Sequence, residues 1–164
     1  MPEVYVAAGS NVRPRAQLRR ALAELAATWP ELRVSRAWQN PAFGFSGADF
    51  INLVVGFATD APPEVVIGRL REIETLCGRP RAAPKWAPRT LDLDLLLYGD
   101  LVGRPGDATV PRPDLLRRAY MLGPLAELAP DLRHPLAGET IAVLWQRFDR
   151  AAHPLREIPL EGDD

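Results

Sequence analysis

The chain has few of the residues that build cross-links and transition-metal sites. Its 164 residues include one cysteine, Cys77, and two histidines, His134 and His153. A lone cysteine excludes a disulfide framework and suits a reducing compartment, so a cytoplasmic location is expected. The histidines have no ligand spacing with each other or with Cys77, which leaves no His/Cys metal site to read. A charge excess is missing as well: 20 Lys and Arg stand against 21 Asp and Glu, for a net −1. That balance argues against bulk binding to nucleic acid or to a membrane surface. No apolar run is long enough to span a bilayer, and no signal peptide is read. Neither G-x-x-x-x-G-K-S/T nor G-x-G-x-x-G occurs, so any nucleotide must be held in another way. No internal repeat is visible.

Proline, by contrast, is abundant at 17 residues, and it punctuates the chain clearly. Glu3 to Ala8 reads as a strand closed by Gly9-Ser10-Asn11. Pro14 opens a helix carried by Leu18, Leu22, Leu25 and Trp29. Leu32 to Trp38 alternates as a second strand, and Asn40 to Gly47 follows as a loop. Phe50 to Ala58 is a third strand. Pro62-Pro63 opens a second helix with Val66, Leu70, Ile73 and Cys77 on one face and Gly78 as its stop. A fourth strand starts at Leu91, and a Gly- and Pro-bearing loop runs from Gly99 to Pro113. Helical stretches then follow over 114–118, 121–128 and 141–148, punctuated by Pro124, Pro130 and Pro135. The order βαββαβ followed by helices predicts an α+β, ferredoxin-like fold with helices on one face of a mostly antiparallel sheet. A single domain over 1–160 with a loose tail at 161–164 is expected.

The chemistry concentrates around the fourth strand, Leu91-Asp92-Leu93-Asp94-Leu95-Leu96-Leu97-Tyr98. Side chains alternate along a strand, so Asp92 and Asp94 share one face, roughly 6.6 Å apart, while Leu91, Leu93 and Leu95 take the other. The leucine run predicts a central strand buried on both faces, where unpaired charge is costly. Arg79, Arg81, Lys85 and Arg89 lie just upstream, joined by Pro80, Pro84 and Pro88. One reading is a structural salt-bridge set in which Lys85 and Arg89 neutralise the two acids. The other is a polyanion held by Arg and Lys and bridged by Mg²⁺, an arrangement suited to phosphoryl transfer. Phe50 and Tyr120 are core residues on the simplest view, with Phe50 beginning a strand and Tyr120 ending a short helix. Asn52, however, shares a strand face with Phe50, and an amide beside a ring suits a flat heterocycle. Arg71 and Glu74 read as an ordinary i, i+3 pair on a helix surface.

Four stretches resemble 6-hydroxymethyl-7,8-dihydropterin pyrophosphokinases of folate biosynthesis. They are Val4-Tyr5-Val6-Ala7-Ala8-Gly9-Ser10-Asn11, Gly78-Arg79-Pro80-Arg81, Pro88-Arg89-Thr90-Leu91-Asp92-Leu93-Asp94, and Pro124 to Leu132. The resemblance runs from about residue 3 to residue 148. It implies a ferredoxin-like fold and transfer of the β,γ-pyrophosphoryl group of ATP to the pterin hydroxymethyl oxygen, with AMP released. It implies that Asp92 and Asp94 hold two Mg²⁺ ions. Arg81, Lys85, Trp86 and Arg89 would face ATP, joined by Glu74, the backbone near Leu95, Arg112 and Arg118. Phe50 and Tyr120 would flank the pterin, which Asn52 would read, with Asn40, Pro41, Phe43 and Trp86 shaping its pocket. ATP and the dihydropterin are then the partners, with neither nucleic acid nor membrane among them, and a monomer is expected. The family's usual Arg, Gly, Gln and His stand here as Lys85, Ala87, Arg71 and Arg112, and its Thr-Pro as Asn40-Pro41. A lysine cannot supply arginine's two-pronged contact, so these departures bear on phosphate handling. Two alternatives stand beside the pyrophosphokinase: a slow or inactive pterin- and nucleotide-binding paralogue, and a metal-dependent phosphate-ester hydrolase.

Overall fold

The computed structural model describes residues 1–41, 47–78 and 90–164. Six strands form one sheet: β1 (Glu3–Ser10), β2 (Arg33–Val34), β3 (Ala37–Asn40), β4 (Phe50–Ala58), β5 (Asp92–Tyr98) and β6 (Arg156–Ile158). The order is β5-β1-β4-β3-β6, with β2 also beside β4, and every pairing is antiparallel. The helices are α1 (Pro14–Thr28), α2 (Pro63–Gly78), α3 (Ala119–Leu128) and α4 (Ile141–Arg147), with a 3₁₀ turn at Pro113–Leu116. This is the ferredoxin-like βαββαβ order, extended by C-terminal helices.

The helices lie on both faces of the sheet, not on one. Val4, Val6 and Ala8 of β1 pack with Leu18, Ala21 and Leu25 of α1 and with Val66, Leu70 and Ile73 of α2. Tyr5 and Ala7, on the opposite face, pack with Met121, Leu122 and Leu125 of α3 and with Ile141 of α4. Strand β1 is apolar on both of its alternating faces because each must bury against a helical layer. Tyr120 begins α3 rather than ending a helix, and Pro124 lies inside α3.

Two more expectations are corrected by the sheet itself. Among the described residues the leucine-rich strand β5 is an edge strand, bonded only to β1 along the sheet. It is nonetheless covered on both faces, with Leu93 and Leu95 in one core and Leu96 and Leu97 in the other. A register shift at Tyr5/Val6 leaves Leu96 as an extra residue, which puts the adjacent Leu96 and Leu97 in the same core. The single strand expected over 32–38 is broken into β2 and β3. Ser35 bonds to Val54 through backbone and hydroxyl, and Trp38 next pairs with Asn52. Arg36 and Ala37 thus stand opposite Leu53 alone, a bulge that moves Trp38 to the face of Asn52.

The end of the chain returns to α1 over the segment expected as a loose tail. Residue Arg13, at the N-cap, is left-handed (φ 45°) and its side chain caps nothing. The Asp164 carboxylate accepts the Arg15 and Ala16 N–H groups instead, at 2.6 and 3.1 Å. Arg19 adds bonds to the Leu160 and Gly162 carbonyls at 2.8 and 2.7 Å.

Candidate active site

Strand register lays out the floor of the site. Gly9 of β1 pairs with Asp92 of β5 on one side and with Asn52 of β4 on the other. The row Asp92, Gly9, Asn52 therefore crosses three strands and spans about 10 Å at ordinary interstrand spacing. A Cβ at Gly9 would collide with the Asn52 side-chain oxygen, so only glycine leaves that amide in place. Above this row opens a cavity of about 260 Å³. Asp92, Asp94 and Asp114 line its acidic side, Asn40, Phe50 and Asn52 its opposite side, and Tyr120, Met121 and Arg118 reach in from α3 and the residue before it.

The amide side is built from paired backbone. Asn52 is 6% exposed, and its side-chain N–H donates to the Asn40 side-chain oxygen. Asn40 donates in turn to the Pro41 carbonyl at 3.0 Å. Phe50 and Tyr120 are half-buried and present surface to the cavity, so neither is a sealed core residue. Burial pushes the Tyr120 hydroxyl above the ordinary tyrosine range, and nearby Asp114 and Asp94 act in the same direction. It therefore stays protonated and able to donate.

On the acidic side, Arg112 stands between two carboxylates. Its Nη1 is 3.7 Å from Asp94 Oδ1 and its Nη2 is 4.0 Å from Asp114 Oδ2, charge contacts longer than hydrogen bonds. Its Nε is buried without a hydrogen-bond partner among the described residues. Arg112 and Asp114 also line a second cavity of about 250 Å³, together with Arg71, Leu95 and Thr109. The expected ATP-side residues Leu95 and Arg112 thus meet there, next to the carboxylates. Glu74 is 5% exposed and both of its oxygens are engaged, one by the Leu93 N–H and the other by Arg71. Burial works to lower the Arg71 pKa, but hydrogen bonding and the charge of Glu74 outweigh it and hold the guanidinium above its usual value. Phe43, Arg81, Lys85, Trp86 and Arg89 lie outside the described residues.

Among the described residues, no three or more His, Cys, Asp or Glu side chains form a metal cage. A pair of carboxylates still suits Mg²⁺, which typically takes one or two protein carboxylates and fills its remaining positions with water and phosphate oxygens. A larger cleft, of about 530 Å³, lies over Trp38 and Trp145. Both indoles there are covered by the chain's own cations, Arg36 at 5.1 Å and Arg150 at 4.4 Å. Convergent acid, amide and aromatic groups make the cavity above Gly9 the candidate site.

The family profile of 7,8-dihydro-6-hydroxymethylpterin-pyrophosphokinase (HPPK) matches residues 5–130. This chain belongs to the HPPK family. It is 39% identical over 150 residues to the 2-amino-4-hydroxy-6-hydroxymethyldihydropteridine pyrophosphokinase of Synechocystis, covering 90% of this chain and 76% of that one. The enzyme of the same name from Pseudomonas aeruginosa is 40% identical over 137 residues, covering 80% and 83%. A folic acid synthesis protein of Pneumocystis carinii is 29% identical over 148 residues, covering 88% of this chain and 20% of that longer protein. HPPK family membership makes this chain a diphosphate-transferring enzyme of folate biosynthesis. Among solved structures, Plasmodium falciparum HPPK-DHPS with SDX-DHP superposes with a TM-score of 0.68 at 13% identity. That likeness supports the fold alone, and it covers 90% of this chain but 43% of the longer one.

Of the residues lining the cavity, Ala7, Ala8, Gly9, Asp114 and Met121 are not among the expected site residues. The signal for Gly9 was available, since a glycine closing an apolar strand marks a close approach. Asp114 and Met121 reach the cavity only through the path of the chain from β5 into α3.

Proposed function

We propose that this chain transfers the β,γ-pyrophosphoryl group of ATP to the hydroxymethyl oxygen of 6-hydroxymethyl-7,8-dihydropterin, giving the pterin diphosphate and AMP. One observation carries the reading: a single cavity brings Asp92 and Asp94 together with Phe50, Asn52 and Tyr120. In the reaction the hydroxymethyl oxygen bonds to the β-phosphorus and the bond from that phosphorus to the α,β-bridging oxygen breaks. AMP leaves with the electron pair, and the hydroxyl proton is lost.

Each side of the cavity has its share of this work. Asp92 and Asp94 would hold two Mg²⁺ ions, which supply charge neutralisation at the phosphates. Phe50 and Tyr120 offer the pterin ring apolar surface, and Asn52, braced by Asn40, offers its amide to the polar edge. The placement of that edge fixes where the hydroxymethyl arm points, so much of the rate comes from positioning. Arg112 and Arg118 would take the phosphates from the described side, with Arg81, Lys85, Trp86 and Arg89 from the segment between α2 and β5. Leu95 would flank the nucleotide, with Glu74 behind the strand on the Leu93 N–H, and Pro41 and Phe43 would flank the pterin. Residues 1–160 act as one domain in this reading, as a monomer in the cytoplasm with small-molecule partners only.

A second reading, a slow or inactive pterin and nucleotide binder, is favoured by the 3.7 Å approach of Arg112 to Asp94. A guanidinium so close competes with a metal ion for the same carboxylate. Incubation with Mg-ATP and the dihydropterin, followed by nucleotide chromatography, separates the readings. AMP with pyrophosphorylated pterin supports the first, ligand binding without turnover supports the second, and phosphate release without pterin points to a hydrolase.

A further inference from the structure

The two carboxylates stand on an edge strand, where no further strand among the described residues fixes the outer backbone groups. Leu93 lies between Asp92 and Asp94, and its own peptide groups point outward toward α2. Its N–H donates to Glu74 Oε2 at 2.8 Å, and its carbonyl accepts from Arg71 Nη1 at 3.1 Å. The same Nη1 donates to Glu74 Oε1 at 2.7 Å. Three hydrogen bonds thus close a ring of two side chains and one residue's backbone. In effect, a carboxylate and a guanidinium take the place of a neighbouring strand at this one position.

The anchoring of that ring is firm on the helix side. Glu74 sits on the buried stripe of α2 with Leu70 and Cys77, while Val66, Leu70 and Ile73 lock the helix into the core. The aim of Asp92 and Asp94 depends on the rotation of the strand between them, and β1 fixes only its inner edge. We infer that Arg71 and Glu74 form a strap that holds Leu93 and so sets the direction of both carboxylates into the cavity. They are positioning residues here, acting through the strand and not on the metal. The inference rests on the reading that Asp92 and Asp94 bind the metal–nucleotide complex. It also accounts for Arg71, where the resembling sequences usually carry glutamine, because one of its nitrogens spans both acceptors and its charge strengthens both bonds.

Groups that orient metal ligands typically change metal affinity or activity ~10- to 100-fold when removed. The test uses the full chain with Glu74→Gln, Arg71→Ala and Arg71→Lys, and with Arg69→Gln as a control for α2. Arg69 pairs with Glu24 and Glu72 on another face of the same helix. Mn²⁺ binding is measured in the presence of a non-hydrolysable ATP analogue, and hydrogen exchange is followed at the Leu93 amide. ATP-analogue affinity is measured separately without divalent metal, and kcat and KM for the pterin are determined for each variant.

A strap predicts Mn²⁺ affinity lowered about 10-fold or more in Glu74→Gln and Arg71→Ala, with faster Leu93 exchange. It predicts a lower kcat at unchanged pterin KM, unchanged metal-free nucleotide affinity, partial recovery in Arg71→Lys, and no effect of Arg69→Gln. Metal-free nucleotide affinity falling in step with Mn²⁺ affinity would overturn it, because Glu74 or Arg71 would then be touching the nucleotide. Wild-type Mn²⁺ affinity in both removal variants would overturn it equally. If Arg71→Ala does not fold, Arg71→Lys and the Leu93 exchange rates decide alone. Absence of AMP formation by the wild-type chain counts against the proposed reaction, while the metal and exchange measurements still judge the strap.

Discussion

The two sides of the cavity stand on strands of different standing in the sheet. Asn52 belongs to β4, which is paired on both edges, and its own position is bonded in register to Gly9 and to Trp38. Asp92 and Asp94 belong to β5, which among the described residues is paired on one edge only. The recognition side is therefore fixed by backbone hydrogen bonds that any sequence would make. On its outer edge the acidic side is held at Leu93 by the particular side chains of Glu74 and Arg71, and at the Leu96 carbonyl by the Arg112 N–H. An edge strand exposes backbone groups that side chains can engage, so the charged half of the site can be retuned by substitution while the amide half stays put.

The largest effect should come from the charged half. Asp92→Asn and Asp94→Asn should each lower turnover at least ~10²-fold, because each keeps its shape and loses a ligand charge. Circular dichroism should be unchanged and pterin affinity nearly so. Near-normal AMP production in either variant would remove the division of labour between the two sides.

Gly9→Ala strikes the row where the sides meet. Its new Cβ displaces the Asn52 amide, and pterin affinity should fall about 10-fold, the scale of one lost hydrogen bond. Mn²⁺ affinity should hold, since Asp92 lies on the far side of Gly9. Equal losses of pterin and metal would mean that the two sides move as one body. A smaller change is expected of Phe50→Leu and Tyr120→Leu, about 1 kcal/mol in pterin affinity for the lost aromatic face. Titration with a pterin measures it. Unchanged affinity would assign both rings to packing.

The smallest effect belongs to a group on neither side. His134 is buried, and its Nδ1 accepts the Leu136 and Ala137 N–H groups at 3.2 and 3.0 Å. Burial holds its pKa below the ordinary histidine value. The unfolded chain therefore binds this proton more readily than the fold does. The resulting stability is present above about pH 6.5 and is lost as pH falls through the folded value. Melting temperatures taken from pH 7.5 down to pH 5 should decline in the parent and decline less in His134→Gln. Parallel curves for the two proteins would contradict this assignment.

Much of the fold was legible because local rules and burial agreed. The Pro14 and Pro63 helix starts, the Val66, Leu70, Ile73 stripe and the βαββαβ order all follow from periodicity and proline placement. The edge position of β5 was not legible, since helices on both faces bury a strand as thoroughly as flanking strands do. Two helical layers were in fact signalled by β1, whose Val4, Tyr5, Val6 and Ala7 leave neither face polar. The bulge at Arg36 and Ala37 has no local mark, and β6 is three residues long with Arg156 and Glu157 exposed. Within the site, Asp92, Asp94, Phe50 and Asn52 could be paired by strand spacing. The i, i+3 spacing of Arg71 and Glu74 reads as a surface pair, although Glu74 falls on the buried stripe of α2 with Leu70 and Cys77.

The bonds from Asp164 to the first turn of α1 have a kinetic consequence. An ordinary N-cap is supplied within a few residues and can form as soon as the helix does. Here the acceptor lies 149 residues beyond Arg15. In an unfolded chain, closing a loop of that length costs roughly 3 kcal/mol more than closing a local one. The first turn of α1 should therefore remain frayed while the sheet assembles, and become fixed only when the far end of the chain docks.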